Sequence, residues 1–370
     1  MVAQLGSSLF TLVAFLVMLG LLVLVHELGH FWTAIRLGIK VEEFGIGFPP
    51  RARVLFKRKG VTYTLNWLPI GGFVRFGGEG EQVYGVGSLS AAAPWKKIAV
   101  LVAGPLMNLL LAIVIITGLF AVRGIPEPIG AAISAVYPGS PAATAGLAAG
   151  DVLVSLAGQP VTDPAIIRTI GIENSGRAIP VVVRRAGAER TLTITPGPWK
   201  ANNETIPAGF GISYQPERVV YAHKGPIETL TTGVGYTFAV LGSFLDGLRQ
   251  LFGGLLGLNP PPQGGVSGIV GIARGTGEII ERSGLAGYLE WMALISLNLF
   301  LVNLLPIPAL DGSHILFSLI ELVRRGKKIP PEREALVHAI GFVALMGLMV
   351  LITISDVASW IGGAPALGGG

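Results

Sequence analysis

The chain has 370 residues, with 27 Lys and Arg against 22 Asp and Glu, and a net charge of +5. Hydrophobic residues make up 51% and charged residues 13%, about half the ~25% charge of a soluble domain, which excludes both a disordered chain and an ordinary soluble one. The chain has no cysteine, which excludes disulfide scaffolds, thiolate zinc sites and iron–sulfur clusters, so any metal must be held by histidine and carboxylate.

Four stretches are long and apolar enough to cross a bilayer, at residues 8–25, 98–122, 291–310 and 335–355. Residues 1–7 lack the basic segment of a signal peptide, and no small-residue cleavage site follows the first stretch. Lys and Arg crowd the loop from Phe31 to Lys97 and the loop from Arg324 to Arg333. Both loops are therefore expected in the cytoplasm, and both termini outside. The modest positive charge reads as topology, and no nucleic-acid partner is expected. A fifth apolar stretch, residues 229–245, is followed by Asp246 and Arg249. It is expected within an amphipathic helix of residues 226–256 that lies in the membrane interface.

The first span ends in His26-Glu27-Leu28-Gly29-His30. On a helix, positions i and i+4 share a face, so two imidazoles can grip one zinc ion while Glu27 stands close enough to take a proton from its water. Ionisable groups inside a span are functional candidates. Zinc needs a third protein ligand. The best candidate is Asp311, after the broken segment Pro306-Ile307-Pro308-Ala309-Leu310; the alternative is that Asp311 caps the helix that follows. His314 is the second candidate and Glu321 a weaker one.

Residues 53–76 read as short strands joined by a turn at Lys57-Arg58-Lys59-Gly60. They form either an ordinary hairpin or a sheet whose edge holds an extended substrate by strand addition. Asn108 in the second span and Asn303 near the end of the third need partners if buried. Each contacts either substrate backbone or a neighbouring helix. Residues 123–200 are a different material, with strands at 131–136, 181–184 and 191–194 and a helix at 163–172, and resemble one PDZ domain. Residues 201–284 are expected as an extracytoplasmic linker carrying the interfacial helix, 285–360 as a second membrane half, and 361–370 as a disordered tail.

Together, His26-Glu27-x-x-His30 and Asn303-x-x-Pro306-x-Pro308-x-Leu310-Asp311-Gly312 resemble the site-2 protease family of intramembrane zinc metalloproteases, in its bacterial, PDZ-containing branch. Further matching runs are Glu43-Phe44-Gly45-Ile46-Gly47-Phe48-Pro49, Pro69-Ile70-Gly71-Gly72-Phe73-Val74-Arg75, Ala103-Gly104-Pro105-Leu106-Met107-Asn108 and Val266-Ser267-Gly268-Ile269-Val270-Gly271-Ile272. Ile269 departs from an expected proline. The resemblance implies one zinc ion on His26, His30 and Asp311, Glu27 as the base, and substrate contacts from Asn303, Asn108, Gly71, Gly72 and Phe73. It also implies that Asp311 reaches the histidines, which keeps the number of spans at four. The expected fold is a multi-pass α-helical membrane protein with four transmembrane helices, a small cytoplasmic-side membrane-associated β-sheet and one inserted extracytoplasmic PDZ domain (α+β). The implied setting is the bacterial inner membrane, with residues 1–122 as the first membrane half. The implied partners are the lipid bilayer and single-pass transmembrane substrates already cut by another protease, such as anti-sigma factors or remnant signal peptides. The PDZ domain filters substrates by size or binds a peptide. Two other classes are a catalytically silent scaffold, against which an intact Glu27 speaks, and a metal-dependent transporter, which would call for internal repeats of spans.

Overall fold

The computed structural model describes residues 2–77, 87–201, 204–206, 208–255, 257, 268–327 and 329–362. The chain divides into two compact units, Met1–Leu119 with Leu230–Gly370, and Phe120–Thr229.

Helix α1 (Val2–Arg36) runs well past the expected span, because no proline or glycine pair interrupts the residues beyond it. His26 and His30 therefore lie inside a continuous helix. It ends where Ile39 N–H donates to Ala34 and Gly38 N–H to Ile35, with Gly38 at φ +74°. This is a Schellman closure, which requires the left-handed conformation that glycine adopts without strain.

Strands β1 (Val41–Arg58) and β2 (Val61–Phe76) follow. The sheet starts at Val41, earlier than expected, and both strands bend so that each is used twice. Residues Glu43 to Ile46 pair with Arg75 to Gly72 on one side and with Thr62 to Leu65 on the other. Arg53 to Arg58 pair with Leu65 to Val61 across the expected turn. Glu43 is only 2% exposed. Burial pushes its carboxyl up, but hydrogen bonds from Arg51 and Thr64 and the charge of Arg75 outweigh that and hold it below the usual carboxylate range. Phe48, Phe56, Trp67 and Leu68 are exposed on this sheet, which is the composition of a surface that meets lipid or protein.

Helix α2 (Pro94–Arg123) packs on α1 at close range: a Cβ at Gly29 would run into the Ala103 carbonyl.

The second unit contains β3 (Ile125–Ile129), β4 (Ala131–Val136), α3 (Pro141–Thr144), β5 (Val152–Leu156), β6 (Gln159–Pro160), α4 (Ala165–Glu173), β7 (Ile179–Arg185), β8 (Ala188–Ile194), β9 (Trp199–Ala201), β10 (Glu204–Ile206), β11 (Ile212–Gln215) and β12 (Arg218–Ala222). Its main sheet has the order β11-β4-β5-β7-β8, with β6 on β5. Alternating residues Ile133, Leu153, Val181, Val183 and Ile194 face Ile167 and Ile170 of α4 to form its core. The β7–β8 hairpin falls where the sequence suggested. The residues assigned to a linker after 200 do more than expected, because β11 pairs with β4 and β12 with β3. The unit is closed by strands from beyond its expected boundary.

Helix α5 (Pro226–Leu255) occupies the segment expected as an interfacial helix. Helix α6 (Ile269–Leu304) is two helices joined at Gly284, which has φ 60° and ψ −151°. Trp291 Nε1 donates to Thr276 Oγ1 at 3.2 Å. In a straight helix these residues would stand about 22 Å apart, so the chain folds back on itself at Gly284. The apolar crossing is thus the part after Gly284, and it ends at Leu304 before Pro306, a few residues earlier than expected. The first part is capped from another helix: the N–H groups of Gly268 and Gly271 donate to Asp356 Oδ2 at 3.0 and 2.8 Å. Helices α7 (Asp311–Val323) and α8 (Pro331–Ile361) complete the fold. Among the described residues, four helices, α1, α2, α6 and α8, are long and apolar enough to cross a membrane. Val266 and Ser267 of the quoted run, and residues 363–370 of the expected tail, lie outside the described residues.

Candidate metal centre

Three donor atoms meet where α1, α2 and the start of α7 come together. His26 Nε2 and His30 Nε2 are 3.0 Å apart. Asp311 Oδ2 lies 3.0 Å from the first and 3.4 Å from the second. Zinc–nitrogen and zinc–oxygen bonds of about 2.0 Å in a tetrahedron place ligand atoms about 3.3 Å from one another. The three edges match that figure, and the donor set, two imidazoles and a carboxylate, suits zinc. Asp311 Oδ2 is buried without a hydrogen bond, as expected of an atom whose lone pair points at a metal position.

Asp311 is the first residue of α7, and Leu310 occupies the cap position without a side-chain cap. The Asp311 side chain turns to the histidines, so the capping alternative does not hold. Burial pushes its carboxyl up, but the two imidazoles outweigh that and hold it below the usual range, as the carboxylate a metal requires. Gly312 must be glycine, because a Cβ there would run into the backbone of Leu304 and Leu305.

The histidines are oriented from α2. His30 Nδ1 donates to the Val100 carbonyl at 2.8 Å. A carbonyl only accepts, so the ring proton is on Nδ1 and the Nε2 lone pair faces the site. Asn108 Nδ2 lies 3.3 Å from His26 Nδ1, Asn108 is fully buried, and its backbone carbonyl accepts from Ser296 Oγ. Gly104 closes the site on this side: a Cβ there would overlap His30 Nε2 and His26 Nε2.

Glu27 is half-buried, on the next face of α1. Gly72 lies against it, since a Cβ at Gly72 would sit 3.8 Å from Glu27 Cγ. Gly71, at φ +76°, lies against Val23, and the Phe73 ring covers Gly45. The segment that carries Gly71, Gly72 and Phe73 thus runs beside α1 at the level of Val23 to Glu27. Between α1 and this sheet is a crevice of about 210 Å³ lined by Gly20, Leu24, Gly47, Asn66 and Gly71.

The remaining sequence candidates fall elsewhere. Glu321 pairs with Lys97 at 2.7 Å and is held away from a ligand role. His314 stacks on His338 and lies 3.5 Å from Glu334, in a second group of possible donors. Asn303 is half-buried near the end of α6. Asn108, expected to touch substrate or a neighbouring helix, meets the neighbouring helices α1 and α6, at His26 and Ser296. The sequence reading missed Val100, whose part is played by its carbonyl and has no side-chain signal. It quoted Gly104 without giving it a role, although a glycine one turn before Asn108 in a span was the available clue.

The description of Peptidase family M50 matches residues 14–348. The chain is similar to the zinc metalloprotease RasP of Geobacillus kaustophilus, at 31% identity over 95% of this chain and 98% of that protein. It is 34% identical to the putative zinc metalloprotease CPE1693 of Clostridium perfringens, over 94% and 98% of the two chains. It is 30% identical to the regulator of sigma-W protease RasP of Bacillus subtilis, again over 94% and 98%.

Proposed function

The chain belongs to peptidase family M50, the site-2 proteases, as a zinc metalloprotease with membrane-crossing helices, and from that premise we propose that it cuts the transmembrane segments of single-pass proteins inside the bilayer. The observation that carries this reading is the triangle that His26 and His30, on a helix apolar enough to cross a membrane, form with Asp311 at the start of α7.

His26, His30 and Asp311 hold the zinc ion. When bound there, zinc supplies Lewis acidity that brings the pKa of a water toward about 7 and polarises a carbonyl. Glu27 takes a proton from the attacking water and delivers it to the leaving amide nitrogen. Asn108 sets the tautomer of His26. A half-turn of its amide places Oδ1 against His26 Nδ1–H, frees Nε2 as a ligand and gives the otherwise unpartnered Oδ1 a donor. Val100 does the same for His30.

A peptide bond in a helix is shielded by its own hydrogen bonds, so the substrate must become extended before it reaches Glu27. The Gly72–Phe76 edge supports this step. It lies against Glu27, and among the described residues it pairs with a strand on one side alone. Strand addition there leads the substrate toward the metal, with Gly71, Gly72, Phe73 and Asn303 as contacts. The exposed Phe48, Trp67 and Leu68 suit a sheet that dips into lipid. The unit between β3 and β12 acts as a PDZ-like filter that admits substrates already trimmed by another protease. Anti-sigma factors fit this class, in keeping with the printed name of the Bacillus subtilis relative. The loops rich in Lys and Arg support a topology with the metal centre toward the cytoplasm and the β unit and both termini outside.

The test is expression of the wild type beside Glu27→Gln, with zinc content and membrane-protein fragments read by mass spectrometry. The variant keeps its zinc and loses cleavage by about 10²–10⁴-fold. Undiminished proteolysis in Glu27→Gln would remove the base and the reading with it.

A further inference from the structure

The segment that delivers Asp311 is irregular. Pro306 and Pro308 have no N–H to donate, and Ala309 takes φ +73°, a conformation that L residues adopt at some cost. Among the remaining N–H groups, those of Leu305, Ile307 and Leu310 donate locally, to Val302, Leu305 and Ile307. The N–H of Ala309 instead donates to His338 Nδ1 on α8, at 3.2 Å. The strained residue two positions before a metal ligand is thus tied to the last helix.

His338 touches the chain on both sides of Asp311. Besides Ala309, it lies 3.5 Å from Ser313 Oγ and stacks on His314 with ring centroids 4.0 Å apart. One turn along α8, Gly341 leaves no room for a Cβ against Pro308, so helix and loop are in close contact. A backbone N–H can only donate, so His338 Nδ1 carries a lone pair and its ring proton is on Nε2. Glu334 Oε1, 4.0 Å from Nε2, is the charge that favours this tautomer. His314, Glu334 and His338 are near enough to suggest a second metal site. The lone pair of His338 is already used by Ala309, however, and the trio is left short of a donor.

We propose that His338 is a positioning residue for the metal centre: by accepting the Ala309 N–H, with its tautomer set by Glu334, it holds the turn before α7 in the shape that aims Asp311 at His26 and His30. The inference rests on the zinc site proposed above.

The test uses the full-length protein and measures zinc affinity together with the visible spectrum of the cobalt-substituted form, which reports ligand geometry. The set is wild type, His338→Leu, His338→Asn, Glu334→Gln and His26→Ala. The Leu variant loses zinc affinity by about tenfold or more and shifts the cobalt bands. Asn, whose Oδ1 accepts the same N–H, restores both. Wild-type affinity and spectrum in the Leu variant would overturn the proposal, as would an Asn variant no better than Leu, which would mark a packing role. If the Leu variant is not recovered folded, Glu334→Gln decides: a weaker loss with the same spectral shift supports the tautomer argument, and unchanged binding and spectrum overturn it. His26→Ala separates the two readings. If it leaves zinc binding intact, the metal site itself is misplaced. If it removes zinc while His338→Leu does not, only the role of His338 fails.

Discussion

In the β unit, the buried carboxylate of Asp151 has both oxygens engaged, by Arg185 at 2.6 and 2.7 Å and by the N–H of Ala148 at 2.9 Å. In the membrane-crossing unit, Asn66, Asn108, Asp311 and His338 each keep a buried polar atom without a hydrogen bond. Among the described residues, none of these unpartnered atoms lies in Phe120–Thr229. The contrast separates two uses of polarity. A buried polar group away from a ligand site is satisfied within the fold, because an orphan costs about 1–3 kcal/mol. In the membrane-crossing unit the open Asp311 Oδ2 lies beside His26 and His30, where the proposed metal would sit.

The strongest way to break this comparison is to fill the open place. Gly104→Ala puts a methyl group onto the Nε2 atoms of both histidines, so zinc and activity should both be lost while helix content in circular dichroism stays. A variant that still binds one zinc per chain would mean the open donors serve something else. Next in size is Glu321→Ala, which leaves Lys97 buried beside an empty space. Both side chains are nearly enclosed, and breaking such a pair costs about 3–5 kcal/mol. Thermal stability should fall with zinc stoichiometry unchanged. Zinc loss in the folded variant would return Glu321 to the ligand set.

A smaller effect is expected at Asn108. Asn108→Leu removes the partner of His26 Nδ1 and should lower zinc affinity about 10–100-fold, with activity recovering at high zinc. A raised KM at unchanged zinc affinity would instead restore a substrate-binding role. The smallest effect belongs to the β unit. Arg185 holds the Asp151 carboxyl below its usual range. A depressed folded pKa contributes stability above the unfolded value, about 3.9, and loses it as pH falls through the folded value. Amide protection factors in residues 120–229 should therefore fall on acidification below about pH 4. Asp151→Asn should flatten that dependence without touching zinc binding.

Much of the site could be read in the sequence because its chemistry needs particular residue types at particular spacings. His26 and His30 share a helix face by the 3.6-residue repeat, and Pro306 and Pro308 announce broken backbone before Asp311. Elements set by local rules were equally legible, among them the Lys59-Gly60 turn and the β7–β8 hairpin. What escaped depends on partners far apart in the chain. β11 and β12 looked like linker because short strands at a domain's edge carry little pattern of their own. The fold-back at Gly284 was hidden because one glycine in a helical stretch looks the same whether the helix continues or reverses.

The sequence by itself determined the apolar spans and the donor types and pointed to Glu27 as the proposed base, since apolar length, imidazole spacing and a carboxylate after a proline-broken turn are local properties of the chain. Only the tertiary structure decided that Asn108 belongs to His26, Glu321 to Lys97 and Ala309 to His338. Each of these pairings is settled by which segments lie side by side, and that depends on close approaches such as Gly29 against the Ala103 backbone and Gly341 against the Pro308 ring, where the absence of a side chain leaves room for the neighbour.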